Sequence, residues 1–203
     1  MERSVLKMPA VALRGMTILP GMITHFDVSR SRSAKAVERS VAQDQKLFVV
    51  TQKDPETENP DKDGLFSIGT IVEVKQIIKM PHNILRILVE GAGRAELCGL
   101  EDGEYLEADV CEIPDVVEEG LPEEAMLRNL QDIFEGYTAA SGKMNKDMAR
   151  QIENCQTVQN MMEQISIHVP FRWEEHQQYL ETVNFEERYK LLCVLLNNEI
   201  EIE

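Results

Sequence analysis

The stretch YLEADVCEIPDVVEEGLPEEAMLRNLQDIFEGY, residues 105 to 137, contains the change of hydrophobic rhythm that decides the fold. Upstream of Pro114, Leu106, Ala108 and Val110 alternate with Glu107 and Asp109, the period of two that a half-buried strand imposes. Downstream, Met126, Leu127, Leu130, Ile133, Phe134 and Tyr137 fall three and four apart, so one stripe of a helix is apolar and must be buried. Residues 115 to 121 between them are acidic and broken by Gly120. Pro122 suits a first helical position, and Glu123 and Glu124 complement the positive end of the helix that follows. The sequence therefore predicts an α+β protein with a β-rich unit over residues 1 to 114, a linker over 115 to 121 and a helical bundle over 122 to 203.

Working outward, residues 10 to 13 read as a first strand. Residues 15 to 22 read as a loop around Pro20 and Gly21, and 23 to 28 extend again. Over residues 31 to 44, Ala34, Val37 and Val41 share one helical face, with Ser29 or Ser31 available as cap. Residues 46 to 51 return to strand. Residues 53 to 64 contain two prolines, five acidic side chains and no apolar one, so burial cannot offset their ordering entropy and a mobile surface loop is expected. Residues 68 to 80 and 84 to 91 flank Pro81, His82 and Asn83 as a long hairpin, with Leu85, Ile87 and Val89 facing inward. With residues 105 to 113 this makes about six or seven strands, the makings of a small barrel. Helices are predicted over about 122 to 140, 145 to 154, 157 to 168, 173 to 183 and 185 to 200, the last opened by Asn184 and Glu187 in a capping-box-like pair.

A chain of 203 residues with 43% hydrophobic composition can bury a real core. It has neither a membrane-length apolar run nor a secretory leader, so a cytoplasmic location is expected. The formal charge of −15 divides unevenly: residues 1 to 114 carry 14 basic and 18 acidic side chains, net −4, and 115 to 203 carry 7 and 18, net −11. Phosphate backbones are bound by Lys and Arg, so nucleic acid is disfavoured as a partner. The one basic cluster, Arg30, Arg32, Lys35 and Arg39, fits an exposed helix face. Cys98, Cys111, Cys155 and Cys193 are too scattered for a zinc site and read as reduced, mostly buried thiols.

No constellation points to bond-breaking chemistry. Gly91, Gly93 and Arg94 lack the third glycine and the strand-to-helix setting of a phosphate loop. There is no G-x-S-x-G elbow. His168 and His176 lie eight apart across Pro170, and His25 and His82 stand alone, so no metal is expected. Glu174, Glu175 and His176 are adjacent on a helix and point apart. Met161 and Met162 share a core face with Val158 and Ile165. Met16, Ile18, Leu19 and Met22 cluster in a loop, where apolar area often marks a contact site, and Met80 sits at the hairpin tip.

MPAVALRGMTILPGM (8 to 22), VVTQKD (49 to 54), SIGTIVEVKQIIKMPHN (67 to 83), ILVEGAGRAEL (87 to 97) and YLEADVCEIPD (105 to 115) together resemble the N-terminal domain of bacterial Lon proteases. The resemblance continues through VPFRWEEHQQYLETVNFEERYKLLCVLLNNEIEIE (169 to 203). It implies a PUA-like pseudobarrel followed by a helical bundle, and substrate recognition without catalysis. The parent's ATP, Mg and Ser-Lys protease dyad would belong to AAA+ and protease modules that this sequence lacks, leaving a fragment cut at a domain boundary or an unattached copy. The implied partners are unfolded, damaged or degron-bearing proteins and the other subunits of a homo-hexamer, with no membrane. The candidate substrate-contact residues are Met16, Ile18, Leu19, Met22, Met80 and Ile84. A free-standing adaptor or an RNA-binding domain of the same architecture is the alternative.

Overall fold

The computed structural model describes residues 4 to 29 and 31 to 202. The chain forms two units, Met1–Asp115 and Val116–Glu203. The first contains β1 (Val5–Leu13), β2 (Ile23–Val28), α1 (Ser31–Ala42), β3 (Lys46–Thr51), a 3-10 turn at Lys62–Gly64, β4 (Ile68–Met80), β5 (Ile84–Asp102) and β6 (Leu106–Ile113).

The strand order is β2-β5-β4-β3-β1-β6, and β6 pairs again with β5, so β5, β4, β3, β1 and β6 close a ring with β2 attached outside it. The 19 residues of β5 make this possible. Along one edge its first half pairs with β2, from Val28↔Leu85 to Ile23↔Glu90, and its second half with β6, from Arg94↔Ile113 to Asp102↔Leu106. β4 runs along the other edge. β1 and β3 pair in parallel, which requires a crossover, and β2 and α1 lie within it.

Alternation along the strands fills two cores. Val11, Leu13, Leu47 and Val49 join Val72, Val74, Ile87, Val89 and the Ala36 and Val37 face of α1 in one cluster. Met8, Ala10, Ala12, Phe48 and Val50 join Ile71, Ala95, Leu97, Ala108 and Val110 in the other, to which all five ring strands contribute. Because β1 and β3 are buried on both faces, they read as nearly unbroken apolar runs. The alanines suit the confined interior of a small barrel.

The second unit comprises α2 (Glu123–Ala140), α3 (Lys146–Glu153), α4 (Val158–His168), α5 (Trp173–Glu181) and α6 (Phe185–Ile202). Side chains cap the starts of α3, α4 and α6: Asn145 Oδ1 accepts from the Asp147 and Met148 amides, Thr157 Oγ1 from Asn160 and Asn184 Oδ1 from Glu187. The α2 stripe is buried as Met126, Leu130, Phe134 and Tyr137, and Met161 and Met162 are core, as their spacing predicts. The Tyr189 hydroxyl of α6 donates to the Met126 carbonyl at 2.8 Å and accepts from Asn129 at 2.9 Å, tying α6 to α2.

Three expectations change. β1 starts at Val5, because Val5, Leu6 and Lys7 pair with β6 through the backbone while their side chains are exposed and show no burial rhythm. β5 continues through Gly91 and Gly93 to Asp102. The polar segment 53 to 64 is tied down, by hydrogen bonds together with the burial of Pro60. The buried Gln52 amide donates to the Asp54 and Thr57 carbonyls, Arg14 donates to the Thr57 and Glu58 carbonyls, and the Lys53 amide donates to the Gly64 carbonyl. Arg30, of the basic cluster, lies outside the described residues. Arg32 pairs with Asp102, and Lys35 and Arg39 are exposed on α1.

Candidate functional site

The loop between β1 and β2 is folded inward. Ile18 and Leu19 are 1% and 0% exposed, so neither offers surface to a partner, and as contact residues both are corrected. The loop backbone explains the inversion. Thr70 Oγ1 donates to the Ile18 carbonyl at 2.6 Å, and Thr51 Oγ1 donates to the Met16 carbonyl at 2.8 Å. The Gly91 amide donates to the Met22 carbonyl and the Gly21 amide to the Gly91 carbonyl. A Cβ on Gly91 would stand 2.3 Å from the Leu19 carbonyl oxygen, so the glycine of the apparent phosphate loop is the seat on which this loop rests. Met16 and Met22 are half-buried against the same core, with part of each side chain accessible.

Met80 and Ile84 are directly paired at the end of the β4–β5 hairpin. His82 and Asn83 turn the chain between them with φ of 64° and 60°, a left-handed conformation that Asn and His tolerate. The pairing register places Met80 and Ile84 on the outer face of a three-strand layer, together with residues the sequence reading passed over. Ile23 pairs across to Glu90, His25 to Leu88 and Asp27 to Arg86, which continues to Ile78 on β4. Ile23 is 66% and Ile78 40% exposed, and Leu88 is half-buried. Thr24, Phe26 and Val28 take the opposite face, where Phe26 and Val28 are core. The signal was available: once Phe26 and Val28 point inward, the alternation sends Ile23, His25 and Asp27 to solvent.

Charges punctuate this face in two salt-bridged groups. Lys75 lies 3.3 Å from Glu73 and 3.4 Å from Glu90, which raise its pKa above the usual lysine value. Arg86 grips Asp27 through two nitrogens at 2.9 and 3.1 Å, and this hydrogen bonding holds the carboxyl below its ordinary range. The outer surface of β2, β5 and β4 is thus apolar side chains interleaved with salt-bridged charges, the Arg86–Asp27 pair neutral and the Lys75, Glu73 and Glu90 group with one net negative charge.

The described residues contain no group of three or more His, Cys, Asp or Glu placed to hold a metal ion. His176 Nε2 lies 3.0 Å from the Ser166 carbonyl between α4 and α5, and burial pushes its pKa down. Glu175 accepts from the Arg172 amide as part of a helix cap, so Glu174, Glu175 and His176 do not converge. In the first unit, a cavity of about 30 Å³ bordered by Ala10, Ala12 and Leu106 has room for roughly two waters. No helix among the described residues is long and apolar enough to cross a membrane.

A closed β-ring in one unit and an α-bundle in the other define an α+β fold. Residues 7 to 198 match the family model of the ATP-dependent protease La (LON) substrate-binding domain, and the chain belongs to that family. It is 43% identical over 201 residues to the Lon protease of Lachnoclostridium phytofermentans, covering 97% of this chain and 25% of the relative. Lon protease 1 of Bacillus subtilis is 30% identical over 203 residues, covering 100% of this chain and 26% of the relative. The chain therefore spans about a quarter of the length of these relatives. Among solved structures, the N-terminal domain of Mycobacterium avium complex Lon protease superposes with a TM-score of 0.73 at 16% identity, over 95% of this chain and 99% of that one. The Lon N-terminal domain protein from Xanthomonas campestris gives 0.65 at 14% identity, over 93% and 98%. The α+β architecture is that of these domains.

Proposed function

We propose that this chain is a non-catalytic capture unit that holds extended apolar segments of unfolded or damaged proteins and passes them to ATP-driven unfolding and proteolytic modules of a larger protein. The observation that carries the reading is the outer face of β2, β5 and β4, where Ile23, Ile78, Leu88, Met80 and Ile84 offer apolar area between salt-bridged charges. Such a face accepts many sequences, because flexible Met and aliphatic contacts adapt to varied partners. Met16 and Met22 extend the contact from the neighbouring loop. Docking an unfolded segment costs chain entropy, so a single copy binds weakly, and several copies in a homo-hexamer recover affinity through avidity. In this reading ATP and Mg belong to the rest of the parent protein, which works in the bacterial cytoplasm.

Titration of the chain with denatured casein, followed by amide NMR, tests the reading. Shifts are expected for residues 22 to 28 and 76 to 90, and Ile23→Asp and Ile78→Asp should each weaken binding several-fold. Spectra unchanged by casein, or variants that bind as the parent does, would defeat it.

A further inference from the structure

We propose that Cys98 and Cys111 form a modification site, a dithiol that hydrogen peroxide converts to a reversible disulfide between β5 and β6. The two sulfurs lie 2.8 Å apart, and no disulfide joins them. The β5–β6 pairing explains their approach. Cys111 lies directly opposite Glu96, which makes Cys98 its diagonal neighbour on the same face. Diagonal neighbours in a regular ladder stand about 7 to 8 Å apart, too far for a disulfide. The register shifts between Leu97 and Gly99, so Cys98 is the extra residue of a bulge, and bulges re-aim side chains. Closing the bond to its ordinary length of about 2.05 Å requires the sulfurs to move by less than about 1 Å.

The two thiols differ in a way that divides the chemistry. Cys98 is exposed and meets the oxidant first, whereas Cys111 is 4% exposed and waits beneath it. The Cys98 thiolate attacks one peroxide oxygen, the O–O bond breaks, and the departing hydroxide takes a proton to become water, leaving a sulfenic acid. The Cys111 sulfur then attacks the Cys98 sulfur. The S–O bond breaks, the S–S bond forms and a second water leaves with the Cys111 proton. The sulfurs together lose two electrons, and the peroxide is reduced to two waters. Cys155 and Cys193 have no such arrangement, and burial raises the pKa of both thiols, disfavouring the reactive thiolate.

The bond would fasten the seam at which β6 closes the ring, since β6 pairs with β1 on one side and β5 on the other. Cys98 and Cys111 are 13 positions apart in sequence. A loop of that size is long enough for its closure to raise the thermal midpoint of the first unit by about 5 °C or more.

The test treats the reduced 203-residue chain with hydrogen peroxide and measures intact mass, thiols titratable in denaturant and peptides mapped without reductant. Expected are a mass loss of two hydrogens, a fall from four thiols to two, one peptide pair linking Cys98 to Cys111, the higher melting midpoint, and reversal of all four by dithiothreitol. Cys98→Ser, at an exposed position, should abolish the mass loss, while Cys155→Ser and Cys193→Ser retain it. Four persisting thiols, Cys98 accumulating as sulfinic acid, or Cys98 linked to another copy of the chain would each overturn the proposal. Peptide mapping of the parent protein decides the question even if a variant fails to fold.

Discussion

Replacing Gly91 by alanine isolates the contact that seats the β1–β2 loop on the barrel. The added Cβ would meet the Leu19 carbonyl oxygen at 2.3 Å, the Leu19 carbonyl carbon at 3.1 Å and the Pro20 Cα at 3.1 Å, all of them backbone. No flexible side chain can swing aside, so the loop must lift by about 1 Å to reach ordinary contact. Lifting it strains the two Gly91 backbone hydrogen bonds and loosens Ile18 and Leu19, whose full burial contributes about 1.5 to 3 kcal/mol each. Losing a part of these contributions, together with the usual cost of overpacking, destabilises the first unit by about 2 to 3 kcal/mol. At about 4 °C per kcal/mol, the melting midpoint falls by roughly 8 to 12 °C. Gly93, two residues along the same strand, has nothing within 4 Å of its would-be Cβ, so Gly93→Ala should leave the midpoint within about 2 °C. Thermal melts of both variants by circular dichroism make the comparison. Equal midpoints for the two would refute the assignment of Gly91 as the loop's seat.

Ile18→Ala should cost about 2 to 4 kcal/mol as a fully buried residue, whereas Met80→Ala, at the hairpin tip, should cost less than about 1; urea denaturation would show the reverse order if the loop presented Ile18 outward. Tyr189→Phe removes the donor to the Met126 carbonyl and the acceptor for Asn129 and should destabilise the helical unit by about 1 kcal/mol, read as a lower urea midpoint with an unchanged slope. His176, and His168 with it, are held by burial below the ordinary 6.5, so the unfolded chain takes up these protons first. Their contribution is complete above pH 6.5 and is lost as pH falls from there through the folded pKa values. The urea midpoint of the second unit should therefore drop between about pH 7.5 and 5.5, with a shallower drop in His176→Gln; a midpoint that rose on acidification would contradict the sign.

Where burial follows a period, the elements were legible. The alternation of β2 and β6 and the stripes of α2 and α4 appear in the structure close to their expected bounds, because side-chain spacing and burial carry the same information there. The first residues of β1 were not legible, since backbone pairing to β6 leaves no mark on side-chain type. Segment 53 to 64 misled for the opposite reason. Composition reports the scarcity of apolar side chains, but not that a buried Gln52 and a distant Arg14 supply hydrogen bonds to its backbone. The site divides similarly. Met80 and Ile84 were placed correctly on a hairpin end, yet Ile18 and Leu19 were read as surface because loop sequences usually are. Their burial depends on Gly91, far away in sequence, leaving room for them. Ile23 and Ile78 followed from alternation on strands already recognised, but only the register brings them onto one face.

The pairing of Val5 with Cys111 has a consequence for synthesis on the ribosome. The barrel's first strand emerges before every other strand of the unit, but its antiparallel neighbour is the last. Until the chain has been extended past Ile113, β1 and the second half of β5 each keep a row of unsatisfied amides and carbonyls. During that interval the nascent polypeptide is itself an incomplete sheet, open to pairing with other chains, and it ceases to be one when the final strand zips both edges shut.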